Sequence, residues 1–353
     1  MSLISLLIAI AVERSLSSSV WSFHHYFQRY QKLFGQNTVE NDKNPTETKN
    51  TTQVTWKSIV FISLPVVVIA LLLSMVDHGL IHLGLSTLIL VVCLGCSATR
   101  ASYKEYLSSA FRGEETTTAM HHQQLLTDKN LPAMGFGQAL VWLNYRYYVA
   151  IILFFVAFGA AGAVFYRLLT SVIEQQNSAC QASEASEASE ASEASEASEA
   201  SEASEELQTE NVGSAEDASQ YASTETNESA SIDTSPDNIN PHESEVTPRI
   251  ANGCNNHHDI LFWVDWLPVR ITSFGYMFVG HFSKAMPVWL ENSFDFHKPT
   301  HQVLIDVAEK SEDILVDDGD CTAEPCLLVR LAKRNAWLIL AVIAVLTLTD
   351  VLS

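Results

Sequence analysis

Four apolar runs, residues 59–76, 80–97, 148–169 and 336–352, constrain this chain more than any other feature. Each approaches the roughly 20 residues that a helix needs to cross the hydrocarbon core of a bilayer. Inside lipid the backbone has no water to bond, so such segments must satisfy their own N–H and C=O groups as helices. The chain is therefore expected to be an all-α polytopic membrane protein with about four to five transmembrane helices, accompanied by amphipathic interfacial helices. The first two runs are separated only by Asp77-His78-Gly79, which predicts an antiparallel hairpin with a kink at Pro65.

A net charge of −21 sits oddly with 47% hydrophobic residues until its location is read. Residues 182–245 carry 18 acidic groups and no Lys or Arg, so the rest of the chain holds only −3. Ala-Ser-Glu repeats over 182–205, and like charges three apart repel along a helix face. Too few large apolar side chains are present to offset the entropy of ordering, so residues 172–258 read as a disordered acidic insert. It is a spacer, an acidic bait for a basic partner, or a tolerated expansion. Its charge belongs to the insert alone, and no nucleic-acid partner is expected.

Residues 1–12 are apolar but short and lead directly into Glu13 and Arg14 without a small-residue cleavage site, which predicts a membrane-dipping segment rather than a removable signal. Trp21, Phe23, Phe27, Tyr30 and Phe34, interleaved with His24, His25, Arg29 and Lys32, predict an interfacial amphipathic helix. The organisation read from this is an N-terminal segment 1–34, a polar linker 35–56, a three-span core with a cytoplasmic loop 57–171, the insert 172–258, and a C-terminal membrane region 259–353. Basic residues near span ends, six in 13–58 and five in 98–147, place those segments in the cytoplasm. If 262–282 also crosses, Arg330, Lys333 and Arg334 return to the cytoplasm and the insert lies outside.

Candidate chemistry gathers at polar groups set into apolar surroundings. Val264-Asp-Trp-Leu-Pro-Val-Arg270 carries an acid, a base and a proline, and the proline predicts a bend that turns Asp265 and Arg270 to one place. Asn144 and Arg146, in Trp142-Leu-Asn-Tyr-Arg-Tyr-Tyr148, stand at a span entrance, where an aromatic belt is the ordinary alternative. His281 and Lys284 follow just beyond the bend and would add to an anionic pocket. Cys93-Leu-Gly-Cys96 lies inside a predicted span without a second pair, so it reads as packing rather than a metal site. His78 with His82, and His297 with His301, lack a third ligand, and no metal or cofactor is expected. Neither a GxxxxGK[ST] loop nor a GxSxG elbow is present. Cys180 and Cys254 bracket the insert and would pair only in an oxidising compartment.

Several of these segments carry a resemblance. Trp142-Leu-Asn-Tyr-Arg-Tyr-Tyr148, Val264-Asp-Trp-Leu-Pro-Val-Arg270, Gly280-His281 with Lys284-Ala285 and Pro287-Val-Trp289, and Asp295-Phe-His297 before Gln302-Val-Leu304 resemble the AmpE family over nearly the whole chain outside the insert. The resemblance implies a multi-pass protein of the bacterial inner membrane that takes part in β-lactamase induction and the response to cell-wall status. Leu267-Pro-Val-Arg270 after Asp265 is also similar to the Leu-Pro-Ala-Arg segment of the CbiB/CobD membrane synthases of cobalamin synthesis, which implies a CbiB/CobD-like fold. Their Glu-Asn-Thr-x-Asp-Gly stretch has no counterpart beyond Asn144, so candidate groups for Mg²⁺ or the amine are missing. The expectation is a non-catalytic relative in which Asp265, Arg270, Asn144, Arg146, His281 and Lys284 bind an anionic, phosphate-bearing or lipid-linked ligand. An ATP-dependent amide ligase is one alternative. The other is a membrane scaffold for a lipid or a single-span partner helix.

Overall fold

The computed structural model describes residues 2–15, 23–33, 51–76, 78–94, 97–178, 258–312 and 322–349. All belong to one compact unit, and residues 179–257 of the expected insert, with Cys180 and Cys254, lie outside the described residues. The described elements are helical, with no strand among them. They are α1 (Ser2–Ser15), α2 (Phe23–Leu33), α3 (Thr51–Ser74), α4 (Gly79–Cys93), α5 (Ser97–Phe111), α6 (Glu115–Asp128) and α7 (Phe136–Asn144). A π-helical turn, Tyr145–Val149, leads into α8 (150–178), and the chain resumes with α9 (His258–Val279), α10 (Phe282–Ser293), α11 (Thr300–Ser311) and α12 (Ala323–Leu348).

Several helices are turned inside out relative to those of a protein in water. On α9, Trp263, Leu267, Ile271, Phe274 and Phe278 point outward, while Asp265, Thr272, Ser273 and Tyr276 are buried. The apolar set recurs every three or four residues, one helical stripe, but that stripe faces away from the core. α4 does the same, burying Ser86 and Thr87 and exposing Leu80, Ile81 and Leu88. α3 exposes Val67, Val68, Leu71 and Leu72, and α12 exposes Val342, Val345 and Leu348. Contiguous outward hydrocarbon on this scale marks a surface with an apolar neighbour.

By length and composition, Phe136–Ser178 and Ala323–Leu348 are long and apolar enough to cross a membrane, and Leu3–Glu13, Val60–Ser74 and Gly79–Cys93 are shorter apolar helices. The first of these does not run straight. Gly159 adopts φ +68°, and the Phe154 and Tyr166 rings stack at 4.9 Å. Twelve residues of straight helix would separate them by about 18 Å, so the chain reverses at Gly159 into two packed arms. The predicted single span 148–169 is thus a helical hairpin. The reversal needs the left-handed conformation that glycine alone adopts without penalty.

Other expectations differ in detail. Pro65 and Pro268 both lie inside continuous helices. α9 runs unbroken from His258 to Val279 through Pro268, held by packing on α11 and α12, which offsets the backbone bond that Pro268 lacks. α3 begins at Thr51, inside the predicted linker, and α8 continues to Ser178, inside the predicted insert. α4 packs more extensively on α1 than on its hairpin partner α3. The aromatic face of α2 turns toward the protein itself: Phe23 and Phe27 are buried, and Tyr30 Oη donates to the Phe61 carbonyl of α3 at 2.8 Å.

Candidate functional site

The centre of the molecule is built by α9 against the two arms of the Gly159 hairpin. Asp265 is 1% exposed, and its Oδ1 accepts hydrogen bonds from Tyr145 Oη at 2.8 Å and Tyr166 Oη at 2.9 Å. Tyr145 belongs to the π-helical turn of one arm and Tyr166 to the other, 21 positions away, so one carboxylate ties three helical segments. The wider π turn shifts the register of the side chains that follow it, and such bulges recur at functional sites. Arg146, in the same turn, is buried within electrostatic reach of Glu174 and Asp265. Tyr147 Oη donates to Glu174 Oε1, and the buried Arg167 guanidinium stacks over the Tyr147 ring at 4.5 Å and the Phe23 ring at 5.4 Å.

Two arginines and two carboxylates thus share a space largely closed to water. Buried ions of this kind are retained only where charges and hydrogen bonds offset desolvation. The offset here is incomplete. Asp265 Oδ2, Arg146 Nε, Arg167 Nε and Nη1, and Asn144 Oδ1 have no hydrogen-bond partner among the described residues. The cluster therefore keeps spare donors and acceptors, which is the chemistry of a polar binding or switching centre.

Arg270 belongs to a different construction. One helical turn and a fraction beyond Asp265, it points to α10 and donates from Nε to the Ser293 carbonyl at 2.9 Å. Its terminal nitrogens donate to the carbonyls of Trp266 at 3.1 Å, Asn292 at 3.3 Å and Asp295 at 2.8 Å. The guanidinium also lies 4.3 Å over the Trp266 ring. Three of those carbonyls come from the C-terminal end of α10 and the turn after it, where carbonyls lack helical partners and a cation is favoured. The two charges expected to turn to one place are separated by the helix that persists through Pro268. Asp265 faces the hairpin and Arg270 clamps α10.

The remaining candidates divide likewise. Asn144 precedes the π turn and lines a cavity shared with α1, α5 and α12. His281 precedes α10, and both its backbone N–H, at 2.7 Å, and its Nδ1, at 3.2 Å, meet the Ser311 carbonyl at the end of α11. Lys284 is exposed in the first turn of α10. The structure thus joins Asp265, Arg146 and their tyrosines, places Asn144 next to them in the chain, sets Arg270 and His281 at the α9–α10–α11 contacts, and leaves Lys284 exposed on α10. His301, on α11, packs edge-on against Trp142, 5.9 Å between ring centroids. Burial there lowers its pKa, and the Arg146 charge adds to that effect while Asp306 opposes it.

Tyr145, Tyr166, Arg167 and Glu174 join the site only in the folded structure. Arg167 carried a usable signal, an ionisable group inside an apolar run. Glu174 carried none, because it begins the polar composition that leads into the insert.

The fold and site define a helical protein with outward-facing hydrocarbon and a buried polar centre. The chain belongs to the AmpE family: the family model, described as regulatory signalling modulator protein AmpE, matches residues 1–188 and 244–353. Protein AmpE of Shigella flexneri is 24% identical over 271 residues, covering 74% of this chain and 72% of that protein. No solved structure matches the chain.

Proposed function

We propose that the protein is a multi-pass regulator of the bacterial inner membrane that acts in β-lactamase induction by responding to cell-wall status, without catalysing a reaction of its own. The family match across both sides of the insert carries this reading. The inside-out surfaces of α3, α4, α9 and α12 support membrane residence, and α9, with 22 residues, has the length to cross a bilayer. Regulation requires a part whose state depends on a ligand or partner. The Asp265–Tyr145–Tyr166 junction, with Arg146, Arg167 and Asn144 holding unused hydrogen-bonding capacity, is the natural place for an anionic or lipid-linked ligand to act. Arg270, already committed to four carbonyls, supports the frame around that place. A corrinoid amide ligase is the second reading, favoured only by the Leu267-Pro-Val-Arg270 resemblance, and corrinoid rescue of a strain lacking that enzyme would be its sign.

Deleting the gene and measuring β-lactamase activity after exposure to several inducers tests the first reading. The expected result is altered induction, restored by the wild-type gene and not by an Asp265→Ala gene expressed to the same membrane level. Unchanged induction with every inducer would remove the regulatory role.

A further inference from the structure

A cavity of about 600 Å³, lined in part by Asn144, opens between α1, α5, α7 and α12. That volume is within the ~300–1,000 Å³ typical of small-molecule sites. Its wall has two chemistries. Glu13, Arg100, Lys104 and Lys333 supply charge, while Leu7, Ile10, Tyr148, Trp337 and Leu340 supply hydrocarbon and aromatic surface. Along α1 the wall passes from Leu7 and Ile10 to Glu13, and along α12 from Lys333 to Trp337 and Leu340. Each helix therefore presents charge at one level and apolar surface one to two turns away.

The charge is unbalanced. Arg100 donates to Glu13 from both terminal nitrogens, Nη1 at 3.1 Å, which ties α5 to α1 and neutralises that pair. Lys104 and Lys333 are exposed and have no carboxylate partner among the described residues. Two cations at the lip of an apolar cavity match an anion carried on a hydrocarbon chain.

We infer that this cavity is a binding site for an anionic phospholipid of the surrounding bilayer, with the headgroup phosphate at Lys104 and Lys333 and one acyl chain along Leu7, Ile10, Trp337 and Leu340. The inference rests on the membrane residence proposed above and not on the role in induction. A juxtamembrane lysine contributes about 1 kcal/mol to binding an anionic lipid, about fivefold in affinity.

The test is native mass spectrometry of the full chain in a neutral maltoside detergent, titrated separately with phosphatidylglycerol, phosphatidylcholine and a polyprenyl phosphate. Phosphatidylglycerol should be retained in preference to phosphatidylcholine. Lys104→Ala and Lys333→Ala should each weaken it about fivefold, and Lys310→Ala, on exposed α11 surface outside the cavity, should leave it unchanged. Ala336→Trp, which fills the apolar end with the lysines intact, should abolish retention. If that variant does not fold, the two exposed-lysine variants still decide the matter. Equal retention of both phospholipids, insensitivity to both lysines, or capture of the polyprenyl phosphate with phosphatidylglycerol excluded would each overturn the site. Loss of the site with induction intact would leave the regulatory reading standing, and the reverse outcome would leave the site standing.

Discussion

Asp265 and Arg270 illustrate what a residue can and cannot disclose from its place in the chain. Both are costly in apolar surroundings, and both proved structurally committed, but to different neighbours. Asp265→Ala would strand two buried tyrosyl hydroxyls and the Arg146 charge, at an expected cost of about 3–5 kcal/mol. Tyr145→Phe or Tyr166→Phe, each deleting one hydrogen bond to the carboxylate, should cost about 1.5–3 kcal/mol. Because Asp265 and Arg270 share no partner, the double variant Asp265→Ala/Arg270→Ala should equal the sum of the singles within about 0.5 kcal/mol. Equilibrium unfolding in detergent measures these variants and the single Arg270→Ala, and a double variant milder than that sum would restore a direct pair. The presence of costly charges was legible in the sequence; their partners were not, since each comes from a segment at least 15 positions away in the chain or from backbone carbonyls, which every residue carries.

At the scale of elements, the helices were legible and the reversal at Gly159 was not. An apolar run of this length satisfies the same criterion whether it crosses a membrane once or folds on itself, because hydropathy counts side chains and ignores direction. Gly159 sits among Ala157, Phe158, Ala160 and Ala161, with no polar residue to mark a turn. The reversal is what brings Tyr166, Arg167 and Glu174 back beside Tyr145, Arg146 and Tyr147, so the polar centre depends on it. Gly159→Ala forces a Cβ into the left-handed region and should cost about 1–2 kcal/mol. The same substitution at Gly84, which has ordinary φ and open space around its Cβ, should be neutral or slightly stabilising. Thermal midpoints of the two purified variants compare them directly, and equal midpoints would place the reversal elsewhere.

At the scale of the whole molecule, the family match and the described helices both stand without the acidic segment. The family match passes over residues 189–243, and the described helices form a compact unit without them. Deleting 189–243 should leave the melting temperature of the purified protein within about 2 °C of wild type, the shift expected of a change under 1 kcal/mol in a chain of this size. A larger loss would make the insert part of the fold. The sequence by itself determined the helical class, the apolar character and the family, because each depends on composition, on periodicity, or on short motifs read locally. Only the tertiary structure decided that one predicted span is a hairpin, that Asp265 and Arg270 serve separate junctions, and that Lys104 and Lys333 overlook an apolar cavity. Those facts depend on which distant segments meet, and in apolar surroundings many pairings bury similar hydrocarbon. The choice among them falls to sparse polar contacts and one glycine, whose geometry exists only after folding.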